Sequence, residues 1–393
     1  MDRARHDNVV LVLQGGGALG AYQAGVFEAL SGEGIAPNWF AGISIGALNA
    51  ALIAGNAPDQ RVERLREFWQ VVSSATADPG CMIAGEARRL LSSAAAWQAM
   101  LFGVPGFFTP RLPPAPLQPP GTAAAISYYD TAPLRSTLAR LVDFDRINAG
   151  EVRLSVGAVN VRTGDFTYFD SAKQPLDARH IMASGALPPG LPPVEIDGEY
   201  YWDGGLVSNT PLDYVLDQPG AGHRTVFQVD LFPARGNLPM TLVQVNEREK
   251  DIRYSSRTRL NTEIEVAWRR VAEAAHRLVA KLPPELRADP DAQELLARTQ
   301  HSFTGLDIVH LIYRAKQYEG NAKDYEFSHW TMREHWSSGY ADVLQTLRDP
   351  RWIARAPAHY GVRVFDLVDP ERTAAVTAGT DFSTRGLSYE TAK

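Results

Sequence analysis

Residues 39–54 read Trp39-Phe40-Ala41-Gly42-Ile43-Ser44-Ile45-Gly46-Ala47-Leu48-Asn49-Ala50-Ala51-Leu52-Ile53-Ala54. The apolar approach, the serine between two glycines and the alanine- and leucine-rich run that follows predict a strand, a sharp turn and a helix. In that setting G-x-S-x-G is a nucleophile elbow: Gly42 and Gly46 let the chain turn tightly and leave the Ser44 hydroxyl projecting at a helix N-terminus. The helix dipole favours negative charge there. Ser44 also has an ordinary reading, as a helix N-cap, so the pentapeptide does not decide the matter alone.

Upstream, residues 9–13 (Val-Val-Leu-Val-Leu) form a short β-branched run typical of a buried strand, and Gln14-Gly15-Gly16-Gly17-Ala18-Leu19-Gly20 opens a helix. Gly15-x-Gly17-x-x-Gly20 is literally the dinucleotide fingerprint. The second strand, however, delivers Ser44 where that motif needs an acidic residue for the ribose, and no Gly-Lys-Ser/Thr follows for a phosphate loop. Two readings remain: an oxyanion hole in which the amides of Gly15, Gly16 and Gly17 face an acyl oxygen, or a ligand-free tight turn.

Downstream, residues 58–72 predict an amphipathic helix. Residues 77–126 then read as an insertion over the site: a helix over 87–102 carrying Leu90, Leu91, Ala94, Trp97, Leu101 and Phe102, then a proline-rich extended arm over 110–121. As a lid, it would line an acyl channel with Trp97 and Phe102; as a packed excursion, it would do nothing chemical. Residues 151–161 and 165–170 predict a hairpin, and 194–202 a second one around Asp197-Gly198. At its exit stands Asp203-Gly204-Gly205. That is either a plain turn or a carboxylate presented at a strand end to a site built by other loops.

Residues 225–231 predict another buried strand. Beyond about 240 the character changes, and 247–281 is long, charged and helical, with Leu260, Ile264, Ala267, Val271, Ala274 and Leu278 at helical spacing. Arg253, Arg257, Arg259, Arg269 and Arg270 are expected on its outside, facing solvent or an anionic membrane surface. A strand over 307–313 and a helix over 331–347 complete the pattern. The expected organisation is a domain over 1–240, with its insertion at 77–126, and a mostly helical extension over 241–393.

The 393 residues carry a formal charge of −6, which argues against a nucleic-acid partner because phosphate neutralisation needs clustered cations. The single cysteine, Cys81, permits no intrachain disulfide. No apolar run reaches the length of a membrane span, and residues 9–13 are too short for a signal-peptide core. A cytoplasmic setting, with peripheral contact at the inner membrane surface, is expected. The nine histidines show no metal-ligating spacing, and the chemistry read here needs no metal or organic cofactor.

Taken together, Gly15-Gly16-Gly17-Ala18-Leu19-Gly20 with Gly25, Gly42-Ile43-Ser44-Ile45-Gly46, and Ala183-Ser184 leading through prolines to Asp203-Gly204-Gly205 and Asn209-Thr210-Pro211 resemble the patatin-like phospholipases, in that family's order. The resemblance implies a three-layer α/β/α fold around a mainly parallel sheet and lipid acyl hydrolysis by a Ser–Asp dyad. It assigns Ser44 as nucleophile, Asp203 as general base and the Gly15 to Gly17 loop as oxyanion hole. The family often carries Arg or Lys after the glycines, where this chain has Ala18 and Leu19. A lipid or other acyl ester is then the expected partner. Acyl transfer to a non-water acceptor, or a membrane-associated scaffold without catalysis, are the competing functions.

Overall fold

The computed structural model describes residues 8–75, 85–218, 222–299, 305–314, 319–320, 322–355 and 362–366, with side chains of a few positions between 243 and 266 left aside. Cys81, the start of the insertion at 77–84, and the side chains of Arg257, Arg259 and Leu260 lie outside the described residues.

Eleven strands are described: β1 Asn8–Leu13, β2 Trp39–Gly42, β3 Thr109–Pro110, β4 Tyr129–Asp130, β5 Arg153–Asn160, β6 Phe166–Asp170, β7 Val194–Ile196, β8 Glu199–Asp203, β9 Arg224–Asp230, β10 Leu306–Ile312 and β11 Val362–Phe365. Nine form one sheet in the order β11-β10-β9-β1-β2-β5-β8-β7, with β6 paired to β5; β3 and β4 make a separate two-stranded ladder. The run from β11 to β5 is parallel, and β6, β7 and β8 are antiparallel. Alternation along β1 explains the layers. Leu11 and Leu13 join the larger core, with the helices Gly20–Gly32 and Ile45–Ala54. Val10 and Val12 join a second core on the opposite face, with Leu212, Val215 and Leu216 of helix Leu212–Asp217. The result is the expected α/β/α sandwich.

The segment after residue 240 is built into this sheet. β10 pairs in parallel with β9 over its full length, and β11, which the sequence reading did not identify, adds a further strand. Helix His329–Arg348 packs on helix Gly20–Gly32 at two glycines. A methyl on Gly25 would stand 1.9 Å from the Trp336 carbonyl oxygen, and one on Gly339 2.1 Å from that of Tyr22. Side chains cannot intervene there, so the two backbones lie against each other.

Two expectations about buried faces are corrected. Helix Gly85–Phe102 turns its small face inward, burying Ser92, Ala95, Ala96 and Ala99, anchored by the buried Arg88 guanidinium on Thr331 and Glu334. Trp97 and Phe102 are 61% and 74% exposed, so they wall no enclosed channel. Likewise helix Leu242–Ala280 exposes Ile264, Trp268, Val271 and Leu278 while burying Arg269, Ala272 and Val279; Arg269 is not on its outside. No helix among the described residues is long and apolar enough to cross a membrane.

Candidate active site

β2 ends at Gly42 beside Leu13 of β1, and the chain then reverses into helix Ile45–Ala54. The reversal is tight on both sides of the serine. A methyl on Gly42 would stand 2.4 Å from Gly46 backbone atoms, and one on Gly46 2.3 Å from the Leu13 carbonyl oxygen. Between them Ser44 adopts φ 55°, a left-handed conformation rare for a residue with a side chain. From residue 39 to 56 it is the one position that is not buried. The Ser44 amide donates to Ser184 Oγ at 3.0 Å, and Ser184 itself is fully buried at the end of helix Ala178–Ser184.

The register of β5 explains how Asp203 reaches this point. Val156 of β5 faces Gly42, the last residue of β2, and two residues further along, Ala158 faces Asp203, the last residue of β8. Because β6 occupies the opposite edge of β5 over both positions, β8 takes up the edge that β2 leaves. The two strands therefore end at one place, each carrying its side chain into it. The Ser44 hydroxyl lies near enough to the Asp203 carboxylate to favour its ionised form, and the Gly205 amide donates to Asp203 Oδ1 at 2.7 Å. Asp203 is only 2% exposed. Burial pushes its carboxyl up to about 6, and the Ser44 hydroxyl and the Gly205 amide restrain the rise.

The glycine loop lies on the other side of Ser44. A methyl on Gly15 would stand 3.0 Å from the Ser44 Cβ and 2.4 Å from Asn209 Oδ1. The Gly15 amide already donates to the Asn209 carbonyl at 3.1 Å, so it is not available to an acyl oxygen. That narrows the expected three donors to Gly16 and Gly17, whose amides have no hydrogen-bond partner among the described residues. Gly17 has φ +55° and sits under the Asp324 carbonyl, which would be 2.2 Å from a Cβ. Only glycine satisfies both conditions.

Three residues hold these pieces in register without having been assigned a role from sequence. Asn209 Nδ2 donates to the Gly15 carbonyl at 2.9 Å, tying the loop to the turn that follows Asp203. Gln14, fully buried, accepts from the amides of Leu231 and Phe232 and donates to Thr210 Oγ1 and to the Tyr254 carbonyl of helix Leu242–Ala280. Ser184 is the third. Gln14 directly follows β1 and Asn209 lies in the turn after β8; their partners are 194 to 240 residues away in sequence, beyond any local pattern.

His180 closes a capping box with Asp177 at the far end of helix Ala178–Ser184 and packs on Phe169. His310 stands on β10, three strands from β2. Among the described residues no histidine hydrogen-bonds to Ser44 or Asp203, and no group of His, Cys, Asp or Glu is arranged to hold a metal ion. A partly exposed serine beside a buried carboxylate, under a glycine-rich helix start, can take an acyl group onto oxygen and hold the resulting oxyanion.

A family model described as patatin-like phospholipase matches residues 11–216, and a second, described as patatin phospholipase, matches residues 252–359. No curated protein sequence matches the chain. Solved structures similar to it include VipD from Legionella pneumophila, at 14% identity and a TM-score of 0.35, covering 87% of this chain and 67% of that one. ExoU from Pseudomonas aeruginosa, crystallised in complex with SpcU, is similar at 18% identity and a TM-score of 0.26, covering 75% of this chain and 68% of that one.

Proposed function

This chain belongs to the patatin-like phospholipase family, and on that premise we propose that Ser44 and Asp203 form a two-residue catalytic unit that hydrolyses carboxylic esters of lipids. One observation carries the reading: the Ser44 hydroxyl, at the head of the elbow helix, lies near enough to the buried Asp203 carboxylate to favour its ionised form. An aspartate at its ordinary value near 3.9 is a weak base for an alcohol. Raised to about 6, Asp203 is still ionised at neutral pH and accepts the Ser44 proton more readily as Oγ attacks the acyl carbon.

The carbonyl oxygen, gaining charge, meets the amides of Gly16 and Gly17 and the positive end of the helix dipole. Protonated Asp203 then gives its proton to the leaving alcohol, and the acyl group remains on Ser44. Water repeats the sequence with Asp203 again as base, releasing the fatty acid. Leu90, Trp97, Leu101 and Phe102, exposed on helix Gly85–Phe102, make the peripheral contact with the lipid aggregate that supplies the substrate.

A fluorophosphonate probe followed by peptide mapping tests the assignment. The adduct is expected on Ser44, and Ser44→Ala is expected to remove turnover of lauroyl lysophosphatidylcholine while circular dichroism stays unchanged. An adduct on any other serine, or turnover persisting in Ser44→Ala, defeats the reading.

A further inference from the structure

The segment after residue 240 stands behind the glycine loop, and buried charges hold the contact together. Glu247, Lys250, Asp251 and Tyr254 are spaced three and four apart on helix Leu242–Ala280, so they share one face. That face meets the short turn Lys323–Tyr325. Lys323 is buried, and its ammonium donates to Asp251 Oδ1 at 2.7 Å and lies 3.6 Å from a Glu247 oxygen. One residue on, the Asp324 carboxylate accepts from the Lys250 ammonium at 2.5 Å. Turn and helix are thus joined by two ion pairs of opposite sense, the turn supplying the cation of one and the helix the cation of the other.

The clamped turn reaches both glycines that offer amides. The Asp324 carbonyl oxygen would stand 2.2 Å from a Cβ on Gly17. The Lys323 ammonium lies 5.8 Å from the centre of the Phe232 ring, and an atom of that ring would stand 3.3 Å from a Cβ on Gly16. Tyr254 packs on the same ring with centroids 4.9 Å apart, and its carbonyl accepts from Gln14, the residue that starts the loop. Gly16 and Gly17 have no side chains to anchor them, so whatever lies against their backbone fixes the direction of their amides. A buried ion pair is a costly way to gain stability and a good way to fix register.

We propose that Lys323 is a positioning residue of the acyl-oxygen site: by seating the turn 323–325 on helix Leu242–Ala280, it keeps the Asp324 carbonyl against Gly17 and the Phe232 ring against Gly16, and so holds the two amides aimed at the oxyanion. The inference rests on the functional reading above, in which those amides receive the developing charge. Lys323 touches no substrate. Its effect falls on the step in which the carbonyl oxygen gains charge, because a misdirected amide costs little while the ester is neutral and much once the oxyanion forms. On this account the extension completes the oxyanion hole from behind.

The test compares full-length wild type with Lys323→Met/Asp251→Leu, which replaces the ion pair by apolar side chains, and with Asp251→Asn, which leaves Lys323 an acceptor without the charge. Two readings are taken: kcat and KM on lauroyl lysophosphatidylcholine, and Ki for dodecyl trifluoromethyl ketone. Ser44 Oγ adds to the carbonyl carbon of that ketone, Asp203 takes the proton, and the ketone oxygen becomes an oxyanion where the ester's would form. Deleting an oxyanion donor outright costs about 10²–10³ in kcat. Misdirecting the two should cost the double variant roughly tenfold to hundredfold in kcat, with KM within about twofold and Ki rising by the factor that kcat loses. Asp251→Asn should move kcat and Ki the same way by roughly threefold, the scale of weakening one charge-assisted hydrogen bond. A folded double variant in which kcat or Ki is unmoved, or in which the loss lies in KM, overturns the proposal. Should that variant lose its cooperative thermal melt, Asp251→Asn decides by the same readings. The assignment of Ser44 is read separately by its fluorophosphonate adduct and survives any of these results. A wild type that turns over no ester defeats the functional reading, and this proposal with it.

Discussion

Replacing Asp203 by Asn should abolish turnover and at the same time make the protein more stable at alkaline pH. Asp203 is fully buried with a carboxyl raised from 3.8 to about 6, so the folded state prefers its protonated form. The stability that form contributes is complete below the unfolded value near 3.9 and is lost as pH rises through about 6. At about 1.4 kcal/mol for each tenfold change in proton affinity, the ionised carboxylate costs the fold about 3 kcal/mol at pH 8. Asn keeps the shape, can still accept from the Gly205 amide through its oxygen, and carries no charge at any pH. The stability of Asp203→Asn relative to wild type should therefore be largest near pH 8 and decline by about half of that 3 kcal/mol on going to pH 5. Urea unfolding followed by tryptophan fluorescence, on both proteins across this range, reads the difference directly. The buried Asp230, pushed up to about 7, titrates in both proteins and cancels. A variant-to-wild-type difference that is flat with pH, or that grows toward acid, refutes the claim that a desolvated charge at Asp203 is what the site maintains.

The acid limb of kcat/KM on a neutral ester should bend near pH 6, following Asp203, and should not move in His180→Gln or His310→Gln; a limb displaced by either variant points to a histidine base instead. Gly17→Ala should cost more than the roughly 1–2 kcal/mol of a positive φ alone, because the Asp324 carbonyl lies 2.2 Å from the added carbon, and a thermal melt indistinguishable from wild type would show that the loop is looser than described. Trp97→Ser with Phe102→Ser should weaken turnover on phospholipid vesicles by roughly tenfold, the scale of losing two exposed aromatic anchors, while sparing a soluble short-chain ester; equal loss on both would return these residues to a packing role.

Local chemistry made the elbow, the first strand, the glycine loop and the hairpin leading to Asp203 legible from the chain alone. Each is a short-range pattern: two glycines around a serine, a β-branched run, an Asp-Gly turn whose Asp197 and Gly198 do take positive φ. The α/β/α layering followed too, since strands with no polar alternation must be covered on both faces. What local patterns could not supply was which faces meet. Helix Gly85–Phe102 has one face of small residues and one of large apolar ones, and periodicity ranks the second as the hungrier for burial. The fold buries the first, around the Arg88–Thr331 hydrogen bond. The same holds for Ile264, Val271 and Leu278, whose spacing describes a stripe without saying whether anything lies against it.

Tertiary structure also decided the chemistry. Whether Ser44 and Asp203 meet depends on β8 replacing β2 along β5, a matter of strand order. Which glycine amides remain open depends on Asn209, 194 residues from Gly15 in sequence. A sequence records the conformations and partners each residue can accept; the choice among them is made by long-range packing, because a buried amide or carboxylate is satisfied only by what the fold brings beside it.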